Sequence, residues 1–373
     1  QLYNTYSISK DPENNATAGT NNILYDPTVR SELISSWEAG TELRFFNNRL
    51  GFDFAWYKSN AHRQLLNLPM DPLSGYGSRK INAGNIQNQG IELMINARPV
   101  ETKDFAWNIL ANISKNKNTI VELTDNVTLY ELGGYDNLKV YATAGGAYGE
   151  IYGTKFRRVT DENSPHYGKL IVDGNGLPLG TTESEKVGDQ QADVLIGLTN
   201  SFQYKGFSFS FLIDARIGGE IFSATNLYLQ SAGTAGVTAP NGKREEFVVE
   251  GVYLDNNQQY QVNTTQVTPQ QYWERVTTAT GNLGISEANI YNATNIRLRN
   301  VQLNYDFDRS LLAKTPFTRL RMGVSVNNAL MLKSHLKGVD PESVFAIGTN
   351  AVGFENTAPP TSRTYLFNVT FGF

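Results

Sequence analysis

The chain has no cysteine among its 373 residues. That single absence excludes a disulfide framework, a thiolate metal site and a cysteine nucleophile. Charge is also scarce, with Asp, Glu, Lys and Arg making up 18% of the residues. Aromatics reach 11%, the reverse of the balance in disordered chains. Lys and Arg number 32 against 36 Asp and Glu, and the isoelectric point is near 5.6. Without a basic footprint, nucleic acid is not an expected partner. No apolar run reaches 18 residues and the mean hydropathy is −0.36, which excludes a helical membrane protein. A membrane barrel is not excluded, because its strands carry apolar residues only at every second position. Gln1-Leu2-Tyr3-Asn4 offers neither a basic n-region nor an apolar h-region, so no signal peptide is expected in this chain.

What the chain does have is alternation at period two. Trp37, Ala39, Thr41, Leu43 and Phe45 share one face, against Glu38, Gly40, Glu42 and Arg44. Phe52, Phe54 and Trp56 repeat the pattern against Asp53, Ala55 and Tyr57, as do Ile91, Leu93 and Ile95 against Glu92, Met94 and Asn96. Similar stretches occur near 105–114, 194–204, 207–214, 296–305, 319–327 and 365–373. About nine strands are therefore predicted, each roughly nine to eleven residues long, the length that crosses a bilayer when tilted. One of them loses phase: Ile296 and Leu298 share a face, but the apolar set resumes at Val301, Leu303 and Tyr305. A β-bulge is expected there. No strong amphipathic helix pattern competes, although short helices fit inside loops.

The connections alternate as well. Phe46–Arg49, Glu101–Asp104 and Tyr204–Gly206 read as tight turns, whereas 59–89, 115–193 and 217–295 read as long connections. Short turns at one end and long loops at the other describe an outer-membrane barrel. Alternating aromatics alone fit a soluble β-sandwich equally well. The loop rule and the charges on the polar face (Glu38, Glu42, Arg44, Glu92, Arg98) favour the barrel, with Phe52, Phe54, Leu93 and Phe209 toward lipid and Asp53, Glu92 and Asp214 toward the lumen.

A family resemblance then enters through longer strings. Ser36-Trp37-Glu38-Ala39-Gly40, Leu43–Gly51, Ile81–Leu93, Thr102–Trp107, Tyr204–Ser208, Asp214-Ala215-Arg216, Ile296–Arg299, Gly338–Glu342 and Ser362–Tyr365 follow one another in family order. Together they resemble the SusC/RagA family of TonB-dependent outer-membrane transporters. The resemblance implies an all-β fold: an antiparallel transmembrane β-barrel, of which this chain is the C-terminal segment, about nine of 22 strands, with long extracellular loops. The plug domain, TonB box and signal peptide of the family have no counterpart in residues 1–373. Nine strands would leave two unpaired edges in lipid, so the chain is expected to be a piece of a longer polypeptide.

The resemblance further implies import of oligosaccharides or peptides across the outer membrane of a Gram-negative, Bacteroidota-type cell. The implied partners are a SusD-like surface lipoprotein over the long loops, TonB acting through the missing N-terminal part, the barrel-assembly machinery and outer-membrane lipid. The final strand, Tyr365, Phe367, Val369, Phe371 and Phe373, resembles the signal read by that machinery. An unpaired amphipathic strand can add to an open sheet edge. The alternative for Phe373 is a place in an interfacial aromatic belt.

Chemical motifs are few. His62, His166 and His335 are far apart, lack metal-ligand spacing and fall in segments read as loops. Gly145–Gly149 lacks the strand–loop–helix context of a phosphate loop, and Gly149–Gly153 reads as a loop between strands. Asp173-Gly174-Asn175-Gly176 has no glutamate at the calcium-loop offset and reads as a type I′ hairpin tip. The loop aromatics Tyr76, Tyr135, Tyr272 and Trp273 are candidates to stack on sugar rings, or else to pack the loops together. No catalytic residue, metal or cofactor is expected. The competing functions are a soluble or surface carbohydrate-binding β-sandwich and a barrel enzyme.

Overall fold

Alternating side chains make each strand two-faced, and the strands satisfy their backbones by pairing in chain order. In the computed structural model, residues 4–124, 127–278, 283–344 and 349–373 are described. Nine antiparallel strands run in sequence order through one sheet, and a short tenth, Ile23–Tyr25, pairs in parallel with 78–80. The nine are β1 (Leu33–Phe45), β2 (Leu50–Pro69), β3 (Ser78–Glu101), β4 (Phe105–Glu122), β5 (Val194–Tyr204), β6 (Phe207–Ile217), β7 (Asn295–Asp306), β8 (Arg319–Ser334) and β9 (Thr364–Gly372). Every predicted strand is present where the alternation placed it. The sheet is open, and edge strands β1 and β9 are exposed along almost their whole length.

One transverse row crosses all nine strands: Phe45, Leu50, Ala97, Ile109, Asn200, Phe211, Val301, Val326 and Tyr365. It starts at the turn end of β1 and reaches β9 near that strand's opposite end. A register drift of this kind is what strand tilt in a barrel requires. The row also defines the faces. Phe54, Leu93, Ile113 and Ile196 align on the apolar side, while Asp53, Met94, Asn112, Gly197 and Asp214 align on the other. The second side is concave and encloses an open hollow of about 680 Å³.

The predicted bulge is real. Leu298 pairs with Ile213 and Asn300 with Leu212, leaving Arg299 as the extra residue. The phase of β7 changes there, and Arg297 and Arg299 both reach the concave side, as a bulge that re-aims a side chain allows. Strand length departs from expectation: β2 spans 20 residues, β3 24, β4 18 and β8 16. From Ser59 to Gln64 β2 loses its apolar face, and the strand continues for 11 residues past Lys58, roughly 35 Å, ending in Leu65, Leu66 and Leu68. Most of the connection expected at 59–89 is therefore strand, and His62 lies within β2 rather than in a loop.

The tight turns at 46–49, 102–104 and 205–206 lie at one end of the sheet. At the other end there are three large insertions and the long β2–β3 hairpin, because 335–363 between β8 and β9 forms a long connection that the turn pattern did not single out. No helix among the described residues is long and apolar enough to cross a membrane.

Candidate functional site: a loop cap over the concave wall

The insertions fold together rather than separately. Leu129–Tyr135, Leu138–Thr143, Tyr148–Gly153 and Glu185–Asp189 make a four-stranded sheet. Gly149–Gly153 thus lies in a strand, not in a loop; the turn before it uses Gly145 at φ +78°. A second sheet joins Glu220–Ser223 and Ile290–Asn292 from one insertion to Phe354–Glu355 from another. The shared core contains Leu138, Val140, Ile151, Phe222, Leu227 and Phe354, all at most 1% exposed. Residues from three separate insertions meet in it, so the cap is one folded body.

Polar side chains lock the third insertion into place. Gln190, 4% exposed, donates from Nε2 to the Asn350 carbonyl at 2.7 Å and accepts at Oε1 from the Val352 N–H at 2.9 Å. Glu355 is buried at 1% exposure and takes up the start of helix α1 (Ala224–Ser231). Its carboxylate accepts from the Ser223 hydroxyl, from the Thr225 N–H at 3.1 Å and from the Thr225 hydroxyl at 2.6 Å. A carboxylate at a helix N-terminus satisfies otherwise orphaned donors and meets the positive end of the helix dipole. Burial raises the Asp189 carboxyl, at the end of its strand, from its ordinary value, against a hydrogen bond from the Gln191 N–H.

Cap and wall are joined at two places. Ile120 and Leu123, at the far end of β4, pack with Ala142, Leu66 and Ile86. There the Ile120 N–H donates to the Gly146 carbonyl at 2.9 Å. The second joint is ionic. Arg297, 5% exposed at its side chain, pairs with Asp340 at 7%. Arg299 bridges Asp214 and Glu342, both at 2.7 Å. Burial raises the Asp340 carboxyl, but hydrogen bonds from Arg297 and Thr361 outweigh it and hold the group far below the carboxylate range. Three of the strings quoted above (Asp214–Arg216, Ile296–Arg299 and Gly338–Glu342) therefore converge in this cluster.

The loop aromatics fall in different places. Tyr76 is half-exposed in the β2–β3 turn. Tyr135 stacks on Phe354 at 6.2 Å, and its hydroxyl lies 2.6 Å from that of Tyr228. That hydrogen bond, with burial, pushes Tyr228 up to about 12. Tyr272 and Trp273 sit on helix α2 (Pro269–Thr278), edge to face at 5.1 Å; Tyr272 also meets Phe247 at 5.3 Å, and its hydroxyl is raised by burial. Trp273 alone of the four borders a hollow of about 240 Å³, together with Gln270, Glu274 and Arg244.

The Asp173–Gly176 tip is a turn, but Asn175 does not take the positive φ of a type I′ turn. Gly176 takes it instead, at +77°, while Asp173 accepts from the Asn175 and Leu177 N–H groups. Asp173 also pairs with Arg275 at 2.7 Å, tying the tip to α2. Among the described residues no group of three or more acidic or histidine side chains is arranged to hold a metal ion.

On the concave wall, Tyr57 reaches across Gly90 to donate to the Asn116 side-chain oxygen at 3.1 Å. On the apolar side, the Trp107 indole N–H donates to Asn200 at 3.1 Å, so a polar residue facing outward is satisfied by its neighbour. Near the turn end of the sheet Phe202 stacks on Trp107 and Phe209, Phe207 and Tyr305 meet at a tilt, and Phe317 meets Phe371 and Phe373. These rings make an aromatic girdle of the kind found at barrel interfaces.

Comparison with known proteins agrees with this architecture. A family model described as TonB dependent receptor-like, beta-barrel, matches residues 1–176. TonB-dependent receptor P3 of Formosa agariphila is 26% identical over 99% of this chain and 36% of its own length. TonB-dependent receptor SusC of Bacteroides thetaiotaomicron is 29% identical over 94% of this chain and 33% of its own length. Among solved structures, the RagAB peptide importer in its 'closed-closed' state matches the whole chain with a TM-score of 0.73 and 18% identity, across 38% of the compared chain. The chain spans about a third of the length of the curated relatives it matches. Strand order, register drift, the girdle and these matches agree with one another: the chain is similar, along nearly its whole length, to a stretch of the β-barrel of TonB-dependent receptors with its loops.

Proposed function

We propose that this chain supplies wall and cap to a SusC-like importer of the outer membrane that takes up oligosaccharides or peptides. The observation that supports this most is the union of three long insertions in one folded cap above a polar, concave wall whose outer side is apolar. Such a body can close over cargo and present a surface to a second protein. The partner in this reading is a SusD-like surface lipoprotein. Energy comes from TonB, acting through plug and TonB-box segments outside residues 1–373. The chain has a transport role and no catalytic one. Trp273, on the border of its hollow, is the loop aromatic best placed to touch cargo, and Tyr76 the next.

The test uses the complete protein carrying this chain in its native cell. Its deletion should abolish growth on one class of oligosaccharide or peptide, and a tagged copy should retain a lipoprotein from detergent extracts. Unchanged growth and uptake on both nutrient classes would overturn the reading. The role of β9 as assembly signal is examined in the same cells. Removing Phe373 should lower outer-membrane levels severely while the barrels that form melt almost normally. Normal levels with a lowered melting point would reduce Phe373 to a belt residue.

A further inference from the structure

The outward face of β2–β4 carries a basic patch that transport does not use. Lys58 on β2 pairs with Gln89 on β3, which pairs with Lys117 on β4. Lys58 and Lys117 are therefore two strand spacings apart, about 10 Å between Cα atoms. Lys115 lies two residues from Lys117 on the same strand and face, about 7 Å away. All three ammonium groups can converge on one small anion.

The height of the patch tells what that anion is attached to. Directly on the turn side of these lysines the outward face is Phe54, Leu93 and Ile113. Directly on the cap side it is Ser35, Asn60, Gln87 and Thr119. The lysines thus mark the rim where the apolar zone ends. Trp37 opposes Lys58, and Trp56 opposes Ile91 beside it; tryptophan is the residue that favours such a rim. No carboxylate shares this face in these rows.

The lysines that form ion pairs among the described residues are Lys139, Lys155, Lys186 and Lys243, all in the cap. Lys58, Lys115 and Lys117 have no side-chain partner among the described residues. At the opposite, short-turn rim the charges are of both signs and pair with one another, as in Arg98–Glu101 and Arg319–Asp306. At the cap-side rim the three lysines thus share one face with no carboxylate in their rows.

We infer that Lys58, Lys115 and Lys117 form a binding site for the phosphate headgroup of an anionic lipid in the leaflet on the cap side. Lysine stems lie along the apolar surface and raise their heads to the interface, where lipid phosphates are found. The inference rests on the membrane-barrel reading of the chain.

The complete protein is reconstituted in phosphatidylcholine bilayers containing a minor fraction of brominated phosphatidylglycerol. Quenching of tryptophan fluorescence then reports the selectivity for the anionic lipid. The triple variant Lys58→Gln/Lys115→Gln/Lys117→Gln should lose most of that selectivity, roughly fivefold per lysine. The triple arginine variant should keep it. Lys103→Gln/Lys205→Gln, at the turn side, should leave it unchanged. Equal selectivity in wild type and the triple glutamine variant overturns the site, as does an equal loss in the turn-side variant. Displacement by inorganic phosphate at matched ionic strength overturns the lipid assignment in favour of a free-phosphate site. Failure of the membrane reading itself shows separately, as a protein that does not insert into pure phosphatidylcholine.

Discussion

Wall and cap are held together by different physics. The wall is a sheet whose neighbours in space are neighbours in sequence, three of its steps crossing long insertions. Its apolar residues face outward, so its stability depends on backbone pairing and on an apolar surrounding. The cap is an ordinary water-soluble core turned inward: Phe222, Phe354 and Ile151 are fully enclosed, and each comes from a different insertion. One chain thus contains an inside-out region and a conventional one, joined at Ile120 and at the Arg297–Asp340 cluster.

The sharpest way to separate the two is to damage one and watch the other. Phe354→Ala removes a side chain that is 1% exposed and stacked on Tyr135. The cost should be about 3–5 kcal/mol, confined to the cap. In the complete protein, limited proteolysis should then cut within 335–363 while the β-sheet circular dichroism in detergent stays unchanged. Simultaneous loss of wall signal would show that the two regions fold as one unit.

The converse experiment targets the wall. Phe209 lies on the outward face and is 37% exposed, whereas Ser210, its neighbour, points to the concave side. Arginine at 209 should cost about 2–4 kcal/mol if the site lies near the bilayer midplane, and arginine at 210 should be mild. Unfolding midpoints in lipid vesicles measure both. Equal effects would dismiss the lipid-facing assignment and return the sandwich.

The same difference explains what could be read from the sequence. Alternation marked all nine strands because one face of each meets an apolar medium. It did not reveal their full length: from Lys58 to Pro69 and from Ser78 to Gln89 the contrast between the faces weakens, and the pattern looks like loop. His62 was misplaced for that reason. The bulge at Arg299 was legible as a change of phase. The cap was not legible, since Ala351, Phe354 and Glu355 occupy a connection with only a two-residue strand and find their partners some 130 residues away. The strings at 214–216, 296–299 and 338–342 were recognisable one by one. Nothing in their spacing says that Arg297 meets Asp340 or that Arg299 meets Asp214 and Glu342.

The smallest expected effect is the most local to the cap. The Tyr135 and Tyr228 hydroxyls share a hydrogen bond at 2.6 Å, and Tyr228 is pushed up to about 12 from the ordinary tyrosine value near 10. A group whose folded value is raised contributes stability that is fully present below its unfolded value and is lost as pH climbs through the folded one. For Tyr228 that window is about pH 10 to 12. Tyr135→Phe removes the partner hydroxyl, and the loss at neutral pH should be about 1 kcal/mol or less, because Tyr228 is partly solvated. Cap melting followed by protease sensitivity should therefore fall between pH 10 and 12 more steeply in the wild type than in Tyr135→Phe. The difference between the two curves isolates this pair from the other tyrosines, which titrate in both proteins. Parallel curves would mean that the hydroxyl contact does not stabilise the cap, leaving the stacking of Tyr135 on Phe354 as its whole contribution.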